Sequence, residues 1–332
     1  MKRENGLQNP SAHRPVVAIL SKLTLMAALA LSASACGEVG MSSAATFAVG
    51  PVGDTSARWT SNKAIAVGSK FEVSADRFGR GTLHVKVSEE GVLLPLGDGV
   101  FEAMKPGAVQ FQAVDDAGAV VDVLPLRVAS PDRLVVTVAS APLQPPQPAE
   151  RALWLMRDSE LELRGELSAG GQALHHADLV SVSRKSGDLH IAASRQGKAK
   201  IVGQTVGAAA INFAVRDRPE LSATHGIVTT TEHAIVDVTY HTSELGEPTD
   251  TDTKRTMLVW LKAWQADGKQ IHGARAKWTS MVSHLEVLAP KPEQPLAVAI
   301  VRGNLGAKGG LRSQIGDRDD VFVLHLPDRL AQ

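Results

Sequence analysis

The sequence predicts an all-β protein: tandem β-sandwich domains behind an N-terminal signal peptide and a flexible tether. Two observations carry this. Apolar and polar residues alternate with period two through most of the chain beyond residue 62, the pattern of strands with one buried and one wet face. Clusters of Gly, Asp, Asn and Pro interrupt these runs at short intervals, as turns between strands require. Helical periodicity is almost absent.

Residues 1–35 have the layout of a secretory signal peptide. Met1–Lys22 is polar to mixed and carries Lys2, Arg3, Arg14 and Lys22 against Glu4. Leu23–Leu31 is apolar, Ser32–Ala35 is small, and Cys36 follows at once. Even Leu23–Ala35 is only 13 residues, too short at ~1.5 Å per residue to span a ~30 Å hydrocarbon core. Cys36 is the only cysteine, so no intramolecular disulfide forms, and a lone Cys behind an export signal is either a free thiol or a modification site. Ala33-Ser34-Ala35-Cys36-Gly37 resembles the lipobox of bacterial lipoproteins, with Ala33 where that family usually has Leu. The resemblance implies cleavage between Ala35 and Cys36, a covalent lipid on the Cys36 thiol, and attachment to the membrane of the cell envelope. Gly37, rather than Asp, at the second mature position implies the outer membrane rather than the inner. Three acyl chains exceed the two signals needed for stable anchoring. The plainer alternative is an ordinary signal peptide cleaved near Ala35.

Residues 36–62, rich in Gly, Ser and Ala, read as a tether, with room for a first strand near its end. Three sandwiches follow: 63–130, 131–218 with a Pro-rich segment at 141–149, and a divergent third at 228–328. Pro219–Thr224 reads as the separator between the second and third, and Thr242–Lys254 as a polar loop within the third. The strands of the first are announced by Phe71, Val73 and Ala75, by Leu83, Val85 and Val87, and by Val109, Phe111 and Ala113. Leu161 and Leu163, and Ile211, Phe213 and Val215, mark the second. Leu296, Val298 and Ile300 mark the third.

The first two sandwiches are an internal repeat. Leu83–Ser88, Val92–Leu94, Gly99–Ala103, Pro106-Gly107-Ala108 and Val109–Val114 are matched by Val180–Ser183, Leu189–Ala193, Gly197–Ile201, Val206-Gly207-Ala208 and Ala209–Val215. Both end in an acidic turn, at Asp115-Asp116 and Asp217. Ala276–Ser280, Leu285–Leu288, Leu296–Val301 and Val321–Leu326 form the third version, which keeps Trp278 but loses the Gly-Ala turn. Gly99–Ala103, Lys105–Ala108 and Val109–Asp115 resemble the bacterial Ig-like domains of invasin/intimin-type stalks. That resemblance implies a non-enzymatic structural, adhesive or binding role at the cell surface.

Charge excludes some partners. Without the residues preceding Cys36, 31 basic and 34 acidic side chains remain, so no basic face awaits nucleic acid. The expected partners are the lipid membrane, through Cys36, and envelope or surface proteins or glycans. No G-x-S-x-G, H-E-x-x-H or phosphate-cradling loop occurs, so no catalytic residue is assigned and an enzyme is not expected. Apart from the lipid, Ca²⁺ is the one cofactor left open. Glu244, Glu247, Asp250 and Asp252 lie in one stretch and Asp317, Asp319 and Asp320 in another, and clustered oxygens are what Ca²⁺ takes. Solvated loops are the plainer reading, and a Ca²⁺- or glycan-binding receptor module centred on the third sandwich is the alternative function. His175-His176 with Asp178 lacks convergent ligands for zinc and reads as a polar loop. Trp260 and Trp264, four apart on one strand face with Leu258, read as core, with sugar stacking as the alternative.

Overall fold

The computed structural model describes residues 45–54, 57–76, 83–89, 91–139, 145–195, 197–245, 254–288 and 296–328. They form the all-β fold expected, with one 3-10 turn at Glu232–Ala234 and no α-helix among the described residues. Cys36 and Ala35, and Asp250 and Asp252, lie outside the described residues.

The first sandwich comprises β1 (Thr46–Pro51), β2 (Ile65–Ala66), β3 (Lys70–Asp76), β4 (His84–Val87), β5 (Leu93–Gly97), β6 (Val100–Ala103), β7 (Gly107–Val114) and β8 (Val120–Ala129). Its sheets run β1-β3-β6-β5 and β2-β8-β7-β4. Lettered along the chain, this is A-B-E-D facing A′-G-F-C, the strand order of an immunoglobulin sandwich. The alternation in the sequence sets the packing. Phe71, Val73, Val109 and Phe111 are buried, while Gln110 on β7 points outward. Phe101 and Phe111 meet edge to face at 5.0 Å, and Phe71 lies 6.0 and 6.3 Å from the two. Burial of each ring contributes about 2–3 kcal/mol. The chain folds earlier than the tether over 36–62 allowed. β1 pairs with β3 from Thr46↔Asp76 to Pro51↔Phe71, because Val49 and Pro51 are buried in the sheet.

The second sandwich comprises β9 (Arg133–Val138), β10 (Gln147–Pro148), β11 (Ala152–Met156), β12 (Glu160–Ala169), β13 (Gln172–Ala173), β14 (Val180–Ser186), β15 (His190–Arg195), β16 (Lys198–Val202), β17 (Gly207–Val215) and β18 (Arg218–Thr230). One sheet runs β10-β9-β12-β16-β15. Gln147 and Pro148 of the Pro-rich segment pair with β9 through Gln147↔Val138, and Pro148 sits at the sheet edge, where a missing N–H is tolerated. The other sheet contains β14-β17-β18-β11. β18 corrects the separator placed at Pro219–Thr224. Leu221, His225, Ile227 and Thr229 are buried at alternate positions, so the strand runs unbroken through the supposed linker. β12 carries Gly165, where a Cβ would stand 2.7 Å from Val180 Cγ1 and 3.1 Å from Phe213; the two sheets approach too closely there for a side chain.

The third sandwich comprises β19 (Asp237–Glu244), β20 (Lys254–Trp264), β21 (Gln270–His272), β22 (Lys277–Ser280), β23 (Leu285–Leu288), β24 (Val298–Asn304), β25 (Lys308–Ile315) and β26 (Arg318–His325). β20, β24 and β23 form one sheet with β19 on β20, and β22-β25-β26 form the other, again A-B-E-D against C-F-G. Thr242–Glu244, read as loop, extends β19. The B-E-D sheet is continuous with the second sandwich: the order runs β14-β17-β18-β11-β21-β20-β24-β23 without a break.

Candidate functional site

The residues that tie the sandwiches together form two seams of the same construction. In each, the A′ strand of one sandwich pairs in parallel with the segment that follows the B strand of the next. At the first seam Ile65 bridges His175; Ala66 N–H donates to the His175 carbonyl and His175 N–H to the Ala64 carbonyl, both at 2.8 Å. At the second, Trp154 pairs with Ile271 and Leu155 with His272. The two acceptor segments align without a gap up to the C strands: Gly171–Leu179 (GQALHHADL) and Gly268–Ala276 (GKQIHGARA). Leu174 and Ile271 occupy one buried position, and Ala177 and Ala274 another. His175 and His272 occupy the same place in the two seams.

β11 shows why the second seam is a shared wall. Leu153 and Leu155 belong to the core of the second sandwich, while Met156, with Trp154 packed beside it, belongs to the core of the third. The strand is therefore buried on both faces, and its sequence, ALWLM, is apolar at every position rather than at alternate ones. One polar contact crosses it and two brace its strand within the second sandwich. Ser159 Oγ donates to the Gly273 carbonyl at 2.7 Å, His225 Nδ1 lies 2.7 Å from the Glu150 carbonyl, and Asp158 N–H donates to the Gly203 carbonyl at 2.7 Å.

Burial disfavours the charged form of both seam histidines. Burial pushes His272 down to about 4, with the Lys262 charge adding to the effect. It borders a void of about 70 Å³ between Val138, Pro148 and Leu153 of the second sandwich and Gln270 of the third. Burial also lowers His175, opposed by its hydrogen bond to the Thr60 carbonyl and reinforced by Lys63. The His175 ring stacks on Trp59 at 5.1 Å with planes 3° apart, and Nε2 lies 3.0 Å from the Thr60 oxygen. A carbonyl only accepts, so the proton is on Nε2. Adjacent His176 is also lowered by burial, against the Gly165 backbone and Asp178, and its Nδ1 is buried without a hydrogen-bond partner. This stretch, read from the sequence as a polar loop, is an inter-sandwich joint: Trp59 and the backbone pairing cover it.

Asp319 is held by Arg312 through both carboxylate oxygens, which keeps it below the usual carboxylate range. Asp320 pairs instead with Arg318. As neighbours on β26 the two point to opposite faces, and Asp317 lies in the turn before them. Among the described residues, no three His, Cys, Asp or Glu side chains are grouped to hold a metal ion. Trp260 and Trp264 do share a face, but it is the outer one; the core is filled by Met257, Val259, Leu261 and Ala263. Trp260 is buried there beneath His241, stacked at 5.7 Å and 17°, and Trp264 Nε1 donates to Thr239 Oγ1 at 3.1 Å. The aromatic core residues of this sandwich are Tyr240, Trp278 and Phe322.

No family model and no curated protein matches the chain. Among solved structures, domains 4–9 of the surface layer protein SbsC are 14% identical over 80% of this chain and 43% of that one, with a TM-score of 0.30. The D0-D1 domain of intimin is 11% identical over 58% of this chain and 99% of its own, with a TM-score of 0.23. The I9-I11 tandem of titin is 11% identical over 80% of this chain and 95% of its own, with a TM-score of 0.21. The chain spans less than half of the SbsC fragment.

Proposed function

We propose that this protein is a non-enzymatic component of the cell envelope, attached by a lipid on Cys36 and holding its sandwiches in fixed register as a structural or adhesive support. The observation that carries the reading is the repeated seam. A chain whose sandwiches acted as independent beads would have no use for a strand shared between two cores, or for the same His-centred joint built twice. Polar residues are spent inside these joints on cohesion: Ser159 and His175 each contact a carbonyl of the adjoining sandwich. The lipobox-like segment Ala33–Gly37 supplies the anchor, and Gly37 favours the outer membrane.

Cells expressing the full chain and grown with labelled palmitate test the anchor. Label in the protein, lost in Cys36→Ala together with its recovery in the membrane fraction, is the expected result; a Cys36→Ala chain that stays labelled and membrane-bound would sink the reading. Globomycin, which blocks lipoprotein maturation, should leave the unprocessed precursor.

A further inference from the structure

The first sandwich contains a cleft between its two facing sheets. It measures about 840 Å³ and opens between β4 and β5, the edge strands of the two facing sheets. Val85, Val87, Leu93, Phe101 and Met104 are among its walls. The sequence accounts for the space. On the paired C and F strands, Val85 stands opposite Ala113. At the corresponding place the second sandwich has Val182 opposite Phe213, and the third has Trp278 opposite Ser313. Each of those pairs brings one large aromatic ring into the core, and Phe213 and Trp278 are both buried. The first sandwich has Val85 in the cleft wall there, with Ala113 buried behind it. One step along, Val87 opposite Phe111 corresponds to Arg184 opposite Ile211 and to Ser280 opposite Leu311. Only the first sandwich keeps this part of the mouth apolar.

The cleft's chemistry selects its occupant. A void of this size, apolar within, falls in the roughly 300–1,000 Å³ range of small-ligand sites. Its charged lining residues are Lys86, Glu89 and Asp98, of mixed sign, so no charged ligand is favoured. A peptide strand added on the β5 side would need the free edge of that strand. That strand carries Pro95 at its centre, which has no N–H to give, and its register slips between Pro95 and Gly97; both features blunt an edge against strand addition. A ligand that needs no backbone partner fits better, and Leu94 and Met104, 44% and 50% exposed, extend an apolar surface to the mouth. We infer that this cleft binds a single acyl chain, taken from a free fatty acid or from a membrane phospholipid. The inference does not depend on the Cys36 anchor.

The full chain titrated with dansyl-undecanoic acid should give saturable fluorescence at one site per chain, reversed by palmitate. A second arm adds phosphatidylethanolamine vesicles in place of palmitate; displacement there identifies membrane lipid as a source, and displacement by palmitate alone identifies free fatty acid. Val85→Trp, which imports the ring of the third sandwich, should weaken probe binding by at least about tenfold and leave or raise the melting temperature, since it fills a void. Val87→Arg, which imports the residue of the second sandwich, should do the same to binding should Val85→Trp fail to fold. Absence of saturable binding would overturn the inference. So would unchanged affinity in either variant with native circular dichroism, or displacement by an alternating Val-Thr peptide and not by lipid.

Discussion

Acid should weaken the seam between the second and third sandwiches through His272. In the unfolded chain this imidazole takes its proton near 6.5; in the folded protein burial delays protonation to about 4. Between those values the unfolded state binds more protons than the folded one, so stability falls as pH falls. The contribution is intact above about pH 7 and is lost progressively toward about pH 4. Linkage between the two values gives a loss of about 2 kcal/mol between about pH 7 and about pH 4.5, most of it below about pH 6. His175, His176 and His241 are also lowered and add to the total slope, so the wild type alone cannot isolate one ring. His272→Leu does, because it removes one titration and leaves the others. Guanidinium unfolding followed by tryptophan fluorescence, with Trp154 on the shared strand as a native reporter, should show the variant losing about 2 kcal/mol less than wild type over that interval. Equal slopes for the two proteins would refute the assignment of His272 as a neutral ring of the seam.

Three further outcomes follow from packing. A double-mutant cycle of Trp59→Ala and His175→Ala, read by chemical unfolding, should return a coupling of about 1 kcal/mol from the stacked rings; additive effects would mean that the stack does not bind the first seam. Phe111→Ala, at a fully buried position between Phe71 and Phe101, should cost about 3–5 kcal/mol, visible as a lowered melting temperature. Gly165→Ala should cost about 1–3 kcal/mol by overpacking, because its new methyl would press on Val180 and Phe213; a neutral result would show that the sheets separate at no cost.

The fold was legible wherever one face of a strand is wet. Phe71, Val73, Val109, Phe111, Ile211 and Phe213 alternate with polar neighbours and lie in the cores as their spacing requires. Reading failed where a strand is buried on both faces or disguised by composition. β11 has no alternation to detect, and β1 is a short run inside a stretch rich in Gly and Ser. β18 was hidden by Pro219, which marks its beginning rather than a break. The seams carried a signal of their own in the ungapped match of 171–179 to 268–276, which pairs His175 with His272. That match lies across a turn, where a search for alternation does not look. Trp260 and Trp264 were placed on one face correctly, but spacing alone does not say which face meets the core.

The strand shared by two cores bears on how such a protein is inherited. Ala152–Met156 belongs by sequence to the second sandwich, yet it walls the third. A recombination event that transplanted residues 231–328 alone would deliver a sandwich with one flank stripped, exposing Ile271 to water. The second and third sandwiches therefore form one unit of exchange, to be duplicated, swapped or deleted together. The joint at Ile65 and His175 is shorter: β2 gives Ile65 to the first core and only Ala66 to the second, so the first sandwich is the easier module to exchange.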